Sequence, residues 1–88
     1  MNTSKGDLKF PGITYRRNAS STLIPILRGT GIRVQTIVIA NRKWNESPNV
    51  IAGQYDLPVS RIVEALAFYQ AHQVEVDLLI QSDTKLDI

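Results

Sequence analysis

The residues that could do chemistry in this 88-residue chain are few, and their types favour binding over catalysis. The absence of cysteine excludes disulfides, a thiol nucleophile and a thiolate zinc site. The single histidine, His72, leaves catalytic triads and multi-histidine metal sites without enough ligands from this chain. Glu75 and Asp77 follow His72 closely, but no other feature of the sequence supports a metal site there. We therefore predict a non-enzymatic protein with no catalytic residue, no metal and no cofactor.

Basic residues are the more informative group because they are concentrated in one half of the chain. Residues 1–43 carry eight basic side chains and one acid, whereas residues 44–88 carry two basic side chains and seven acids. This gradient fits a basic surface for a polyanion and an acidic end for another partner. Uneven solvation of surface charges explains it equally well, since folding can mix the two halves in space.

The composition is that of one small globular domain, with 43% hydrophobic and 20% charged residues. No stretch approaches the roughly 20 consecutive apolar residues that a membrane-spanning helix needs. The first seven residues lack the apolar segment of a secretory signal. We therefore expect a cytoplasmic protein without a membrane partner.

The elements that must position these residues are short strands first and helices later. Residues 13–15 and 23–27 form two β-prone runs around a polar turn, and Pro25 argues against a central sheet position. The segment 34–44 has one apolar helical face but is rich in β-branched residues. Propensity alone leaves helix and strand open for that segment.

The second half predicts two helices separated by a tight turn. Ser47 is a good N-cap, and Pro48 falls at the first helical position of a helix that runs to about Tyr55. Pro58 pushes the residue before it away from helical dihedrals, so a second helix begins near Val59. This outline is typical of a helix-turn-helix. A helical wheel of the second helix, to about residue 73, predicts one face for the core: Val59, Ile62, Val63, Leu66 and Tyr69.

Two blocks of the sequence resemble the domain-of-unknown-function 433 family. Residues 25–34, Pro-Ile-Leu-Arg-Gly-Thr-Gly-Ile-Arg-Val, resemble its hallmark P-x-I-R-G-T-R-I-x-V, and residues 47–72 are similar to its second block in order and spacing. The chain departs from the hallmark at Gly31, where the family usually has an arginine. The contact made by that arginine is therefore in question.

The resemblance implies a mainly α fold with a small β-hairpin and a helix-turn-helix, homeodomain-like or winged, in a three- to four-helix bundle. It also implies a helix over residues 35–44. Members of the family look like VapB-like bacterial antitoxins that are paired with PIN-like nuclease toxins. We expect a flexible N-terminus over residues 1–12, a domain over residues 13–73 and an acidic, apolar partner-binding segment over residues 74–88.

The candidate DNA-binding residues lie on the second helix and on the basic half of the chain. In a helix-turn-helix, residues near the start of the second helix meet base edges or phosphates. An ordinary Arg61–Glu64 pair on a solvated face explains the pattern slightly better for that helix alone. Arg16 and Arg17 add to the basic residues that could neutralise phosphates if folding brings them to one side. Cations dispersed over the surface without a binding role explain these residues equally well. The predicted DNA-binding set is Arg28, Arg33, Arg42, Lys43, Ser60 and Arg61.

The candidate partner-binding residues start from Phe68, which the wheel places opposite the core, where an exposed aromatic ring is unfavourable. A second subunit or a toxin could cover it, or the chain's own termini could fold over it. His72 could cap the helix end. Residues 74–78 alternate as in a strand, and the segment could be a final strand or helix packed on its own domain, or it could bind a partner. The predicted partner-binding set is Phe68, His72, Val76, Leu78 and Leu79.

These observations predict an antitoxin-like protein of a bacterial toxin–antitoxin pair. It would neutralise a PIN-like nuclease toxin by direct binding and bind double-stranded operator DNA as a homodimer, regulating transcription. The alternative is a protein-interaction or DNA-binding module without a toxin partner.

Overall fold

The chain folds as a β-hairpin followed by four helices. The computed structural model describes residues 9–86, with side chains described as far as residue 82. The elements in chain order are β1 (Ile13–Arg17), β2 (Leu23–Leu27), α1 (Val34–Arg42), α2 (Pro48–Tyr55), α3 (Val59–Ala71) and α4 (Gln73–Leu86). This confirms the mainly α class with a small hairpin. None of the helices in the described part of the chain combines the length and the apolar content that crossing a membrane requires.

The hairpin is antiparallel, with Ile13 opposite Leu27 and Arg17 opposite Leu23. Its turn is held by Asn18, whose Oδ1 accepts the N–H groups of Ser20 and Thr22, each at 2.9 Å. A sheet of two strands has only edge strands, so Pro25 of β2 removes no bond from a central position.

A second tight turn joins the hairpin to α1. Gly29 has a φ of +80°, a left-handed conformation that glycine adopts without strain. Thr30 closes the turn, since its Oγ1 lies 2.8 Å from the Leu27 carbonyl and accepts the Ile32 N–H at 3.0 Å. An isolated bridge between Ile26 and Arg33 then aligns the chain with β2 before α1 begins.

Helix α1, which propensity left open and the resemblance implied, is the centre of the domain. It contacts β2, α2, α3 and α4. Its β-branched residues Val34, Ile37 and Val38 are all buried. Packing on several sides therefore outweighs the modest helix propensity of these residues.

The helix-turn-helix is formed by α2 and α3. Ser47 caps α2, because its Oγ accepts the Val50 N–H at 3.3 Å, and Pro48 occupies the first turn. Asp56 ends α2 with a left-handed φ of 57°, and Pro58 precedes α3. The predicted bounds of both helices are thus confirmed to within two residues at each end.

The structure decides between the alternatives for residues 74–78, which belong to helix α4 and not to a strand, and Val76 is fully buried in the domain's own core. Phe10, which precedes the expected domain boundary at residue 13, packs on Phe68 with ring centroids 5.5 Å apart. Residues 1–8 of the expected flexible segment lie outside the described residues. The core face of α3 is centred on Ile62, Ala65, Phe68 and Tyr69, about one residue's rotation from the predicted stripe.

Candidate functional site

The strongest candidate binding site is a basic cleft of about 240 Å³ beside the hairpin. Three of the seven described residues that line it are arginines, and none of these seven carries a carboxylate. Arg16 and Arg17 come from the end of β1, and Arg33 is the residue immediately before α1. The full lining is Arg16, Arg17, Asn18, Ile24, Ile26, Gly31 and Arg33. We call this surface the arginine cleft.

Local structure explains why these three side chains converge. The hairpin register places Arg16 opposite Ile24, while the Ile26–Arg33 bridge brings the start of α1 to the same strand. Arg17 is anchored at the hairpin turn, where its Nη1 donates to the Ser21 carbonyl at 2.7 Å. All three arginines are exposed, so their charges face solvent and any ligand that enters the cleft.

Gly31, which replaces the family arginine, lies in the arginine cleft. A Cβ atom built on Gly31 meets only Arg16 Nη2, at 3.9 Å. The guanidinium of Arg16 therefore reaches the neighbourhood of the position where the family carries its arginine. Arg16 of β1 thus brings a guanidinium close to the position at which the resemblance implies an arginine.

Arg28 and Arg61 have a different role from the one predicted. Arg28 Nε donates to the Pro11 carbonyl at 2.8 Å, and Arg61 Nη2 donates to the Arg28 carbonyl at 2.7 Å. Gly12 completes this arrangement, since its carbonyl accepts the Arg28 N–H at 2.7 Å and its own N–H donates to Glu64 Oε2 at 2.9 Å. Both arginines thus hold the segment before β1 against α3.

The remaining predicted DNA-binding residues are divided between two places. Arg42 lies at the far end of α1, over the Tyr69 ring at 5.5 Å from its centroid, and Lys43 is exposed beside it. Nine helical residues separate this end from Arg33, a distance of roughly 13 Å at 1.5 Å per residue. Ser60 is exposed on the outer face of α3, next to Val59 and Val63. The six residues therefore do not form one surface.

Two of the predicted partner-binding residues are core residues. Phe68 and Val76 are fully buried, and Phe68 lies under Phe10 and Tyr15. The alternative that residues before β1 cover Phe68 is the correct one, because a helix face opposite the predicted stripe is where the hairpin packs. His72 stacks on Phe68 with centroids 4.3 Å apart, and Leu78 remains exposed with Leu79 half-buried.

The junction of α3 and α4 contacts the hairpin through polar side chains. His72 Nδ1 lies 3.4 Å from Glu75 Oε1, and Tyr15 donates to Glu75 Oε2 at 2.9 Å. Asp77 instead accepts the Tyr69 hydroxyl at 2.9 Å. Among the described residues, no three potential metal ligands come together. These polar groups stabilise the packing of β1 on the last two helices.

Sequence reasoning missed a second cleft, of about 300 Å³, between the end of α1 and α2. Trp44 and Glu46 line it on the loop that joins these helices. A helix that continued through residue 44 would place Trp44 on the apolar face of α1. The helix ends at Arg42, however, and the loop turns the indole outward, where it is 68% exposed.

Comparison with known proteins gives one match. Neither the curated proteins nor the solved structures that were searched contain a significant relative of this chain. The sequence model of one family, described as "Protein of unknown function (DUF433)", matches residues 24–69. That range begins at the second residue of β2 and ends two residues before the end of α3, so it covers the turn at Gly31, α1, α2 and most of α3. The chain therefore belongs to the family described as Protein of unknown function (DUF433).

Proposed function

We propose that this protein is a non-enzymatic, antitoxin-like regulator that binds double-stranded DNA through the arginine cleft and neutralises a nuclease partner by direct contact. The observation that carries the DNA-binding part is the convergence of Arg16, Arg17 and Arg33 in one cleft, where the described lining residues include no carboxylate. Membership of the family supports the regulatory part only through the resemblance of its members to antitoxins.

Arginines in this arrangement are well suited to a phosphate backbone. A guanidinium remains charged at any physiological pH and presents planar pairs of N–H donors that match phosphate oxygens. A two-stranded β-ribbon can enter the major groove, so a hairpin that carries Arg16 and Arg17 can approach DNA directly. In this mode the hairpin and the start of α1 contact the duplex, and a homodimer presents two such clefts to two half-sites.

The outer face of α3 is less suited to DNA than the helix-turn-helix outline suggested. Its exposed residues Val59, Ser60 and Val63 carry no positive charge, and Arg61 is bound to the Arg28 carbonyl. Phosphate contacts supply most of the affinity in non-specific binding and fix the register in specific binding. A face without cations contributes neither, so we assign the DNA contact to the arginine cleft.

Neutralisation of a partner needs contact only, because blocking the active site of a nuclease requires no chemistry from this chain. Helix α4 presents Val74 and Leu78, which are 74% and 59% exposed and one helical turn apart. An apolar pair of this kind, followed by Gln81, fits the i, i+4 anchors of a helix that lies in a partner's groove. This exposed pair supports a partner contact on α4, within the segment proposed from the sequence.

The DNA-binding proposal is tested by fluorescence anisotropy on the duplex upstream of the protein's own gene, across a salt series. The variant R16Q/R33Q removes two charges from the arginine cleft, and R42Q/K43Q removes two from the far end of α1. We expect the first to flatten the slope of log K against log salt by about 2, at about 0.9 per lost phosphate contact. Equal losses in both variants would show diffuse electrostatics, and no binding by the wild type would refute the DNA-binding proposal.

The partner proposal is tested separately, by co-expression with the neighbouring reading frame and a mass measurement. We expect a complex with a PIN-like protein that V74S/L78S disrupts while the fold is retained. A homo-oligomer alone would favour the second candidate, a protein-interaction or DNA-binding module without a toxin. The exposure of three valines, Val50 on α2 and Val59 and Val63 on α3, is the observation that favours that candidate.

A further inference from the structure

The cleft at Trp44 combines aromatic surface with a single carboxylate. Trp44 lies just after α1, and Tyr55 lies at the end of α2, so two rings from different elements border one cavity of about 300 Å³. Trp44 is the only tryptophan of the chain and is 68% exposed. The complete lining is Thr36, Ile39, Ala40, Trp44, Glu46, Gln54 and Tyr55. We call it the tryptophan cleft.

Glu46 is held in a fixed position at the rim of this cleft. Its backbone N–H donates to the Ala40 carbonyl at 3.1 Å, and its carbonyl accepts the Asn41 side-chain amide at 2.9 Å. Its Oε2 accepts Gln54 Nε2 at 3.2 Å. Within the part of the chain that the structure describes, the Glu46 carboxylate forms no ion pair. Glu46 is half-buried and held in place. Among the described residues, the hydrogen-bond partner of its carboxylate is the neutral side-chain amide of Gln54.

This chemistry selects a flat cation. An indole face attracts a guanidinium or ammonium within about 6 Å, and a nearby carboxylate adds a charge-assisted hydrogen bond. Arginine is favoured over lysine because its guanidinium is planar, weakly hydrated and able to stack while it donates sideways to a carboxylate. Tryptophan and arginine are also the residue types that most often dominate the energetics of protein interfaces.

We infer that the tryptophan cleft binds an arginine side chain of a partner protein, with the guanidinium over the Trp44 indole and against the Glu46 carboxylate. The inference rests on charge complementarity between this carboxylate and the bound cation. It requires neither the arginine cleft nor the contact at Val74 and Leu78, so it goes beyond the proposed function. It adds a specificity contact to a surface that the sequence reasoning did not assign.

The fluorescence of Trp44 reports occupancy directly, because no other tryptophan contributes. The probe is the peptide acetyl-Ala-Arg-Ala-amide, and its control replaces arginine by citrulline, an uncharged side chain of nearly the same shape. We expect a saturable fluorescence change with the arginine peptide in the millimolar range. Binding of the citrulline peptide is expected to be at least tenfold weaker.

Glu46→Gln tests the carboxylate, with Asp56→Asn as the matched control. Asp56 is an exposed acid beside Tyr55 with a left-handed φ of 57°, a conformation that asparagine also adopts. We expect Glu46→Gln to weaken the arginine peptide about tenfold and Asp56→Asn to leave it within twofold, with unchanged thermal unfolding in both. Equal responses to the two peptides, or equal losses in the two variants, would overturn the inference. A Trp44 signal that follows protein concentration and dimer mass would overturn it too, since a second copy would then occupy the cleft.

Discussion

Helix α3 turns charged and aromatic residues towards the rest of the domain and valines towards solvent, the reverse of what residue type alone would suggest. The face turned towards the hairpin carries Arg61, Glu64 and Phe68, whereas the outer face carries Val59 and Val63. Phe68 is fully buried, and Val63 is 52% exposed. The charged residues pack against β1 and the segment before it, and the valines face solvent.

The difference follows from what each face can meet. The segment before β1 offers Phe10 as an apolar partner and the backbone groups of Gly12 as hydrogen-bonding partners. Glu64 accepts the Gly12 N–H, and Arg61 Nη2 donates to the Arg28 carbonyl at 2.7 Å and to the Gly12 carbonyl at 3.4 Å, so these bonds offset part of the cost of burying the two side chains. Burying one phenyl ring removes more apolar surface from water than burying one valine, so the orientation that covers Phe68 is favoured. A polar helix face is thus an internal face when a second layer supplies partners.

Among the variants that test this comparison, Phe68→Ala is expected to have the largest effect on the free energy of unfolding. Removing a fully buried ring leaves a cavity beneath Phe10 and Tyr15, and such changes cost about 3–5 kcal/mol of unfolding free energy. Urea unfolding of the purified chain measures this loss, and Phe68→Leu serves as a milder control that refills part of the volume. A normally stable variant that only loses a partner would show instead that Phe68 is an interface residue.

Gly12→Ala is expected to have the next largest effect. A Cβ at residue 12 overlaps the Glu64 carboxylate, which must move and release the Gly12 N–H. A partly buried hydrogen bond to a charged group contributes about 1.5–3 kcal/mol, so we expect a loss in that range by urea unfolding. Gly53→Ala is the matched control, since a Cβ at that position meets no atom within 4 Å. If the two variants unfold alike, the contact between Gly12 and Glu64 does not hold the hairpin to α3.

Much of the fold was predictable because local signals decide it. Ser47 and Pro48 start α2, and Pro58 separates α2 from α3, through capping and backbone geometry that act within a few residues. The hairpin and α1 were implied by the family resemblance. For α1 the residues themselves left helix and strand open, because burial by four neighbouring elements decides that segment.

The candidate sites were less predictable because they depend on contacts distant in sequence. Arg61 bonds to a carbonyl 33 residues away, and the Gly12–Glu64 bond spans 52 residues. Arg33 joins the arginine cleft only through its bridge to β2. The tryptophan cleft depends on where α1 ends, since continuing the helix through Trp44 would move its side chain. A list of residue types carries none of this information.

Arg61→Ala distinguishes a role of Arg61 in DNA binding from its role in holding the Arg28 carbonyl. Its bond to the Arg28 carbonyl is partly open to solvent, so we expect a loss of about 1 kcal/mol in unfolding free energy. DNA affinity at fixed salt should change less than twofold, because this guanidinium stabilises the hairpin and not a phosphate. A salt slope flattened by about 1, with unchanged stability, would restore Arg61 to the DNA contact.

Val63→Lys is expected to have the smallest effect and tests the outer face most directly. Val63 is already half exposed, and lysine has a better helix propensity than valine, so stability should stay within about 0.5 kcal/mol. The neighbouring Ile62→Lys provides the contrast, because Ile62 is fully buried and an unpaired charge at that position should prevent folding. Thermal unfolding and light scattering of both variants show whether Val63 faces solvent or is covered by another subunit. If Val63→Lys dissociates a dimer or lowers stability by more than 1 kcal/mol, the valine face is covered in solution, and both faces of α3 are then internal.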